Sequence, residues 1–363
     1  MNKKRIYNII KSLIHDYRLD LSGLKIYTEA GSEYYMLTPI ICALAGAEKV
    51  IAITKDSQWG DALTIQNEVL NLAELWNIKP KINFTTEKRQ KDLRYCDIVT
   101  NLGFVRPIDR STIRSLKNTA VVPLMWETWE YRPDEVDLET CKKEGIVVLG
   151  TDEHRMNFIQ YAAYLDWKLL LDANIEIYKN KIFIFSSNPV ARVLNEMFSK
   201  NSIDYRYVSF DDKLDSDFAH RHIDPNDKQS MLAYLKQCDA ILLDEKTYDK
   251  PIIANDGVIT PYELKKANDE ITIIFRSGVI DLSTIQSLGF HVSPDRDVSF
   301  GYSTVCSYYL GPRPLIELHV AGLRVGEVMA RSRLKGLDIQ QTVKRTLREA
   351  PAVDFPGKIS WLK

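Results

Sequence analysis

Three short stretches carry residue types that could do chemistry. In the first, the apolar run Ile182-Phe183-Ile184-Phe185 passes directly into Ser186-Ser187-Asn188-Pro189-Val190-Ala191. A strand that turns into a helix through small residues lets the backbone approach an anion and aims helix N–H groups at it. Ser186, Asn188 and Ala191 are small, and Asn tolerates positive φ. An ordinary strand–helix turn with Pro189 in the first helical turn has the same pattern. In the second, Ile271-Thr272-Ile273-Ile274-Phe275 leads to Arg276. A guanidinium at a strand end can grip a carboxylate with two hydrogen bonds, or be a plain surface charge. In the third, Leu315-Ile316-Glu317-Leu318-His319-Val320-Ala321-Gly322 holds an imidazole. Its usual pKa suits proton transfer at working pH; the alternative is a core histidine with its hydrogen bonds satisfied. In an extended run, Glu317 would share a strand face with His319.

Further groups surround these. Met125–Arg132 interleaves Trp126, Trp129 and Tyr131 with Glu127, Glu130 and Arg132. Aromatics among charges after a strand suggest a wall for a polar substrate, or else a packing or dimer-contact loop. The loops Glu29–Tyr35 and Asn101–Arg106, with Asn101 and Gly103 as candidate contacts, follow predicted strands, where open parallel sheets bind ligands. Asp211 follows the strand at Tyr205–Phe210, where an acid can hold a ribose, although Asp212, Asp215 and Asp217 make a solvated acidic loop an equal alternative. His220 and His222 have no third partner at a convincing spacing, so no metal is expected.

The elements that must position these groups alternate. Strands are predicted at 24–28, 50–54, 81–84, 97–100, 120–124 and 146–149, with helices near 34–45 and 62–75 between them. A helix is predicted at 155–171, then strands at 181–185, 205–209, 240–243 and 271–275. This order predicts an α/β chain of two Rossmann-like domains with parallel sheets and an interdomain cleft. The expected division is a flavodoxin-like substrate-binding domain over 1–150, completed by C-terminal helices at 323–363; an interdomain helix at 155–171; and a dinucleotide-binding Rossmann domain over 175–322.

These motifs, in this order over about residues 95–335, resemble the D-isomer-specific 2-hydroxyacid dehydrogenases of the formate/glycerate dehydrogenase-like superfamily. Val136-Asp137-Leu138 with Gly145-Ile146-Val147-Val148 is similar to the segment leading into the interdomain helix. Ser186, Asn188 and Ala191 stand where the family has the three glycines of its dinucleotide turn. Ile271–Asp281 is similar to the family's "INxARGxxVDE", and Leu315–Gly322 to its "TPHIAG". The resemblance implies an NAD (or NADP) cofactor on Ser186–Ala191, with Asp211 favouring NAD. It also implies that Arg276 binds the substrate carboxylate and carbonyl, and that His319 is the general acid–base. The glutamate that usually partners that histidine has no counterpart.

Bulk properties narrow the class. The chain has 363 residues, 45% of them hydrophobic, and a formal net charge of −1. The length fits two domains, and the near-zero charge gives no drive toward nucleic acid or an anionic membrane. The odd set of five cysteines contains no CxxC pair, which points to a reducing compartment. The basic start followed by Ile6, Ile9, Ile10, Leu13 and Ile14 reads as an amphipathic helix rather than a signal peptide. A cytoplasmic protein with a small-molecule substrate, no nucleic-acid or membrane partner, and a homodimeric state is expected. The leading functional reading is an NAD(P)-dependent oxidoreductase acting at an alcohol/ketone centre, in specialised-metabolite or surface-sugar biosynthesis. Two alternatives are an adenosylhomocysteinase-like enzyme with tightly held NAD, and a non-catalytic binding protein on a decayed dehydrogenase scaffold.

Overall fold

The computed structural model describes residues 2–78, 81–212 and 214–362. The chain divides into two compact units, Met1–Met156 with Gly311–Lys363, and Asn157–Leu310.

Unit 1 begins with α1 (Lys3–Asp16), whose Asn2 side chain caps the Arg5 amide and whose Ile6, Ile9, Ile10 and Leu13 form its buried stripe. The alternation then runs β1 (Lys25–Glu29), α2 (Leu37–Leu44), β2 (Lys49–Ile53), α3 (Ala62–Leu75), β3 (Ile82–Thr85), α4 (Gln90–Tyr95), β4 (Ile98–Val99), α5 (Arg110–Ser115), β5 (Val121–Pro123), α6 (Leu138–Glu144) and β6 (Val147–Thr151). Gly145 closes α6 at φ 71°, a left-handed position that favours glycine.

Unit 2 holds α7 (Gln160–Asp172), β7 (Lys181–Phe185), α8 (Val190–Lys200), β8 (Asp204–Val208), α9 (Lys228–Leu235), β9 (Ala240–Asp244), α10 (Pro261–Ala267), β10 (Thr272–Ser277), α11 (Leu282–Ser287) and β11 (Val292–Ser293). The chain then returns to unit 1 as α12 (Pro312–Leu334), α13 (Ile339–Glu349) and β12 (Ala352–Val353).

The sheet of unit 1 has the order β12-β6-β5-β4-β1-β2-β3, with β12 antiparallel at its edge and the other pairs parallel. That of unit 2 is fully parallel in the order β11-β10-β9-β7-β8. Apart from the edge strands β3 and β8, the apolar runs predicted as strands are buried as the inner strands of these sheets, as parallel strands covered on both faces must be.

Unit 1, expected to be flavodoxin-like, carries the 3-2-1-4-5-6 strand order, and unit 2 the 2-1-3-4-5 order; both are doubly wound arrangements. Two boundaries also differ. The helix expected to bridge domains is α7, part of unit 2, and the chain re-enters unit 1 at Gly311 rather than after residue 322. The cause of the second difference is α12, one continuous helix with proline at its start, so the run around His319 is helical rather than extended. Gly322 and Gly326 let α12 lie close on the sheet: an added Cβ would come within 2.9 Å of Met125 Sδ and of Pro123 Cγ respectively.

Candidate functional site

In unit 2 the order of strands reverses between β7 and β9, and the turns beyond them meet. Ser187, just past β7, donates its hydroxyl to Glu245 Oε2 at 2.6 Å, just past β9. Glu245 Oε1 in turn accepts the Thr247 amide, the Thr247 hydroxyl and the Tyr248 amide. The Phe210 amide donates to Ser187 Oγ, so one serine ties three strand ends together. Glu245 is a buried acid that sequence reasoning missed; its place directly after the Ala240–Asp244 strand was the available signal.

The structure brings Asp211 to the strand–helix turn. Its Oδ2 accepts the Asn188 amide at 2.7 Å and the Ser209 hydroxyl at 2.7 Å. The phosphate side of the turn has fewer donors than expected. The Asn188 amide faces Asp211, Pro189 has no N–H, and the Ala191 amide bonds Ser187 O within the chain. What remains for an anion is the start of α8 at Val190 and the Ser186 hydroxyl, which is buried and has no hydrogen-bond partner. The turn thus fits a dinucleotide at its ribose end, through Asp211, and more sparsely at its pyrophosphate end.

Arg276 departs from the role the resemblance implied. It is 1% exposed, and its Nη1 donates to Asp244 at 2.6 Å, Asp166 at 3.1 Å and Ala162 O at 3.2 Å. Burial pushes Asp166 well above the usual carboxylate range. Burial acts on Asp244 in the same sense, but Arg276, Lys246 and the Ser277 hydroxyl outweigh it and hold that carboxyl low. A guanidinium enclosed between two carboxyls inside unit 2 is an internal ion cluster, not a fork presented to substrate.

His319 is likewise corrected. It lies in mid-α12, 2% exposed, with Nδ1 2.8 Å from Thr38 Oγ1 and its ring 5.7 Å from that of Tyr35. Burial pulls its pKa down to about 3, so it is neutral at working pH and a poor proton donor. Glu317 is on the same helix and accepts the Tyr17 hydroxyl, so no shared strand face with His319 exists.

In unit 1 the strand order reverses between β1 and β4. Glu29, the last residue of β1, is 5% exposed, and its Oε2 accepts the Phe104 amide at 2.7 Å from the loop after β4. Gly31 and Gly103 make room for this carboxylate: a Cβ at either would stand 3.3 or 3.2 Å from its oxygens. Burial pushes Glu29 up to about 7, with the Phe104 amide and Arg106 pulling the other way. Asn101 is buried and its Oδ1 accepts the Met125 amide, a latch between strand ends.

The loop after β5 packs largely on its own unit. Trp126 is half-buried, with the Arg106 guanidinium 5.2 Å over its ring, and Arg106 pairs with Glu135. Glu127 accepts the Glu153 amide, and burial raises its pKa. Arg132 donates to Glu130 O, while Trp129 is 51% exposed. Sequence reasoning named Asn101, Gly103, this loop and the loop opening at Glu29, but not the burial of Glu29, which depends on a loop 75 residues away.

No family model and no curated protein sequence matches the chain. Solved structures do. A dipicolinate synthase component from Bacillus halodurans matches with a TM-score of 0.54 at 10% identity, covering 86% of this chain and 99% of that one. The corresponding dipicolinate synthase component from Bacillus subtilis gives 0.53 at 8% identity, covering 88% and 98%. A D-lactate dehydrogenase with NAD+ from Lactobacillus jensenii gives 0.46 at 13% identity, covering 85% and 97%. At these identities the likeness is one of fold: the chain has the two Rossmann-like domains implied by its motifs.

Proposed function

We propose that the chain is an oxidoreductase using NAD or NADP at an alcohol/ketone centre of a small polar metabolite, with the dinucleotide on the Ser186–Ala191 turn of unit 2. One observation carries this reading. Asp211 Oδ2 lies 2.7 Å from the Asn188 amide, so the acid suited to a ribose and the turn suited to a pyrophosphate form one constellation. The buried, unpartnered Ser186 hydroxyl supports it. Asp211 would accept the ribose hydroxyls, and Ser186 with the first amide of α8 would donate to the phosphates. The dinucleotide, when bound, supplies or accepts the hydride. The strand-end loops of unit 1, with Glu29, Gly103 and Trp126, would hold the substrate.

A second reading, a non-catalytic nucleotide-binding protein, is favoured by the state of Arg276 and His319. One is enclosed by carboxyls and the other is neutral, so neither offers charge or a proton to a carbonyl. The test is to denature the purified protein with acid and analyse the supernatant for NAD and NADP. Nicotinamide absorbance is then followed with panels of hydroxy acids, sugars and other alcohols. Released nucleotide with turnover supports the first reading, and nucleotide without turnover supports the second. If none is released and neither cofactor binds on titration, both readings fail.

A further inference from the structure

A cleft of about 540 Å³ opens on unit 1 where the N-terminal part of α1 meets the start of α12. It is lined by Asn2, Lys4, Arg5, Asn8, Ser12 and Arg313, with no acid and no aromatic ring in its lining. Its volume falls within the ~300–1,000 Å³ of small-molecule sites. These elements supply none of the residues proposed above to hold a dinucleotide or a substrate.

The charges there are unbalanced. α1 carries Lys3, Lys4, Arg5 and Lys11 and no acid before Asp16, in a chain whose formal net charge is −1. On other helices the cations pair one turn along, as Arg192 does with Glu196 and Arg345 with Glu349. Lys4, Arg5 and Arg313 have no such partner among the described residues. Arg313 has Glu317 one turn on, but Glu317 accepts the Tyr17 hydroxyl at 2.8 Å. Asp16, the acid of α1, accepts the Ser12 hydroxyl and pairs with His15. The Tyr17–Glu317 bond also ties α1 to α12, and buried Pro312 and Pro314 on either side of Arg313 fix its backbone. Three cations from two fixed elements thus face one open volume, and their mutual repulsion is relieved by an anion.

The lining also selects the kind of anion. A monoanion offsets one charge of three, whereas a chain of phosphates offsets all of them and offers several acceptor oxygens per group. Guanidinium forks grip phosphate oxygens in pairs, and the positive end of the α1 dipole adds to the attraction. The Asn2 carbonyl is taken by the Arg5 amide, which leaves its N–H groups as donors, and Asn8 offers a second side-chain amide. Without a ring to stack on, a nucleobase gains nothing here. A bilayer is disfavoured too, because Ile6, Ile9, Ile10 and Leu13 of α1 are buried against the protein and cannot insert. We infer that the α1/α12 cleft is a binding site for a soluble polyanion bearing two or more phosphates, held by Lys4, Arg5 and Arg313.

The test is calorimetry on the full-length protein with orthophosphate, pyrophosphate, tripolyphosphate and citrate as probes. Affinity is expected to rise with the number of phosphates, with tripolyphosphate at least about ten-fold tighter than orthophosphate and than citrate. Arg5→Gln and Arg313→Gln should each weaken tripolyphosphate about ten-fold, the scale of losing one charged fork. Lys11→Gln removes the same charge from the same helix outside the cleft, and should change affinity by less than about two-fold. All three side chains are exposed, so their replacement leaves folding intact. Anionic phospholipid vesicles and a short single-stranded RNA, tested by co-sedimentation and calorimetry, are expected to bind more weakly than tripolyphosphate. The proposal is overturned if tripolyphosphate does not bind at millimolar concentration, or if citrate binds as tightly. It is equally overturned if the Arg5 and Arg313 variants bind like wild type, if Lys11→Gln weakens binding as much as they do, or if vesicles or RNA bind more tightly.

Discussion

Arg276 and Asp244 are locked together inside unit 2, with Nη1 donating to Oδ2 at 2.6 Å and both side chains buried. Asp166, on α7, closes the cluster from the other side at 3.1 Å. Removing the guanidinium leaves a buried carboxylate without its counter-charge, which costs about 3–5 kcal/mol where it has been measured. Arg276→Ala should therefore lower the stability of the protein by that order in urea unfolding. A substrate-binding arginine would behave differently, leaving unfolding unchanged and raising KM. Unchanged stability in Arg276→Ala would restore the role first expected of it.

His319 gives the protein an acid-side weakness. Its pKa falls from 6.5 to about 3 on folding because burial disfavours the imidazolium. The unfolded chain then binds the extra proton, so the contribution of the neutral histidine is present above pH 6.5 and lost as pH falls toward 3. The shift corresponds to a few kcal/mol, at ~1.4 kcal/mol per unit. His319→Gln, which can still bond the Thr38 hydroxyl, should flatten the dependence of unfolding free energy on pH over that window. An identical slope in wild type and variant would show that His319 does not titrate this way.

The elements were legible in the sequence where the signal is local. Val50–Ile53 and Ile182–Phe185 read as buried strands because a parallel strand covered on both faces is continuously apolar. What escaped depends on distant partners. Arg276 sits at a strand end as expected, but its burial is decided by Asp166, 110 residues earlier in the chain. The order of the strands, and hence which unit carries which doubly wound arrangement, is set by long-range pairings such as Ile26 with Ile98. His319 was misplaced for a local reason: Leu315–Gly322 alternates well enough to pass for a strand, while Pro312 and Pro314, a helix-start signal, lie just outside it. At the turn of unit 2 the small residues were legible and the seating of Asp211 on it was not.

The packing of α12 gives a prediction independent of any ligand. At Gly322 a Cβ would stand 2.9 Å from Met125 Sδ and 3.1 Å from Met125 Cα, and the second of these is backbone that cannot swing aside. Alanine gains ~1 kcal/mol in helix propensity over glycine. Overpacking in a close-packed core costs ~1–3 kcal/mol. The steric cost should prevail, so Gly322→Ala is expected to destabilise the protein by ~1 kcal/mol. A stabilised variant would mean that α12 shifts readily on β5.

Glu29 should make stability fall where most acids leave it level. Its pKa rises from 4.5 to about 7 on folding, chiefly through burial, against the pull of the Phe104 amide and Arg106. The folded state therefore holds a proton that the unfolded chain has released. The stabilising contribution of the protonated carboxyl is complete below pH 4.5, is lost as pH rises toward 7, and stays lost above it. Glu29→Gln mimics the protonated form and keeps an acceptor for the Phe104 amide. The variant should match wild type near pH 4.5 and exceed its stability at pH 8 by ~1–3 kcal/mol, the scale of the shift. Unfolding curves at the two pH values measure the difference directly, and carbon-13 NMR of the labelled carboxyl should give a midpoint near neutrality that is absent from Glu29→Gln. A wild type more stable than Glu29→Gln at pH 8 would mean that the ionised carboxylate is better solvated than its burial implies.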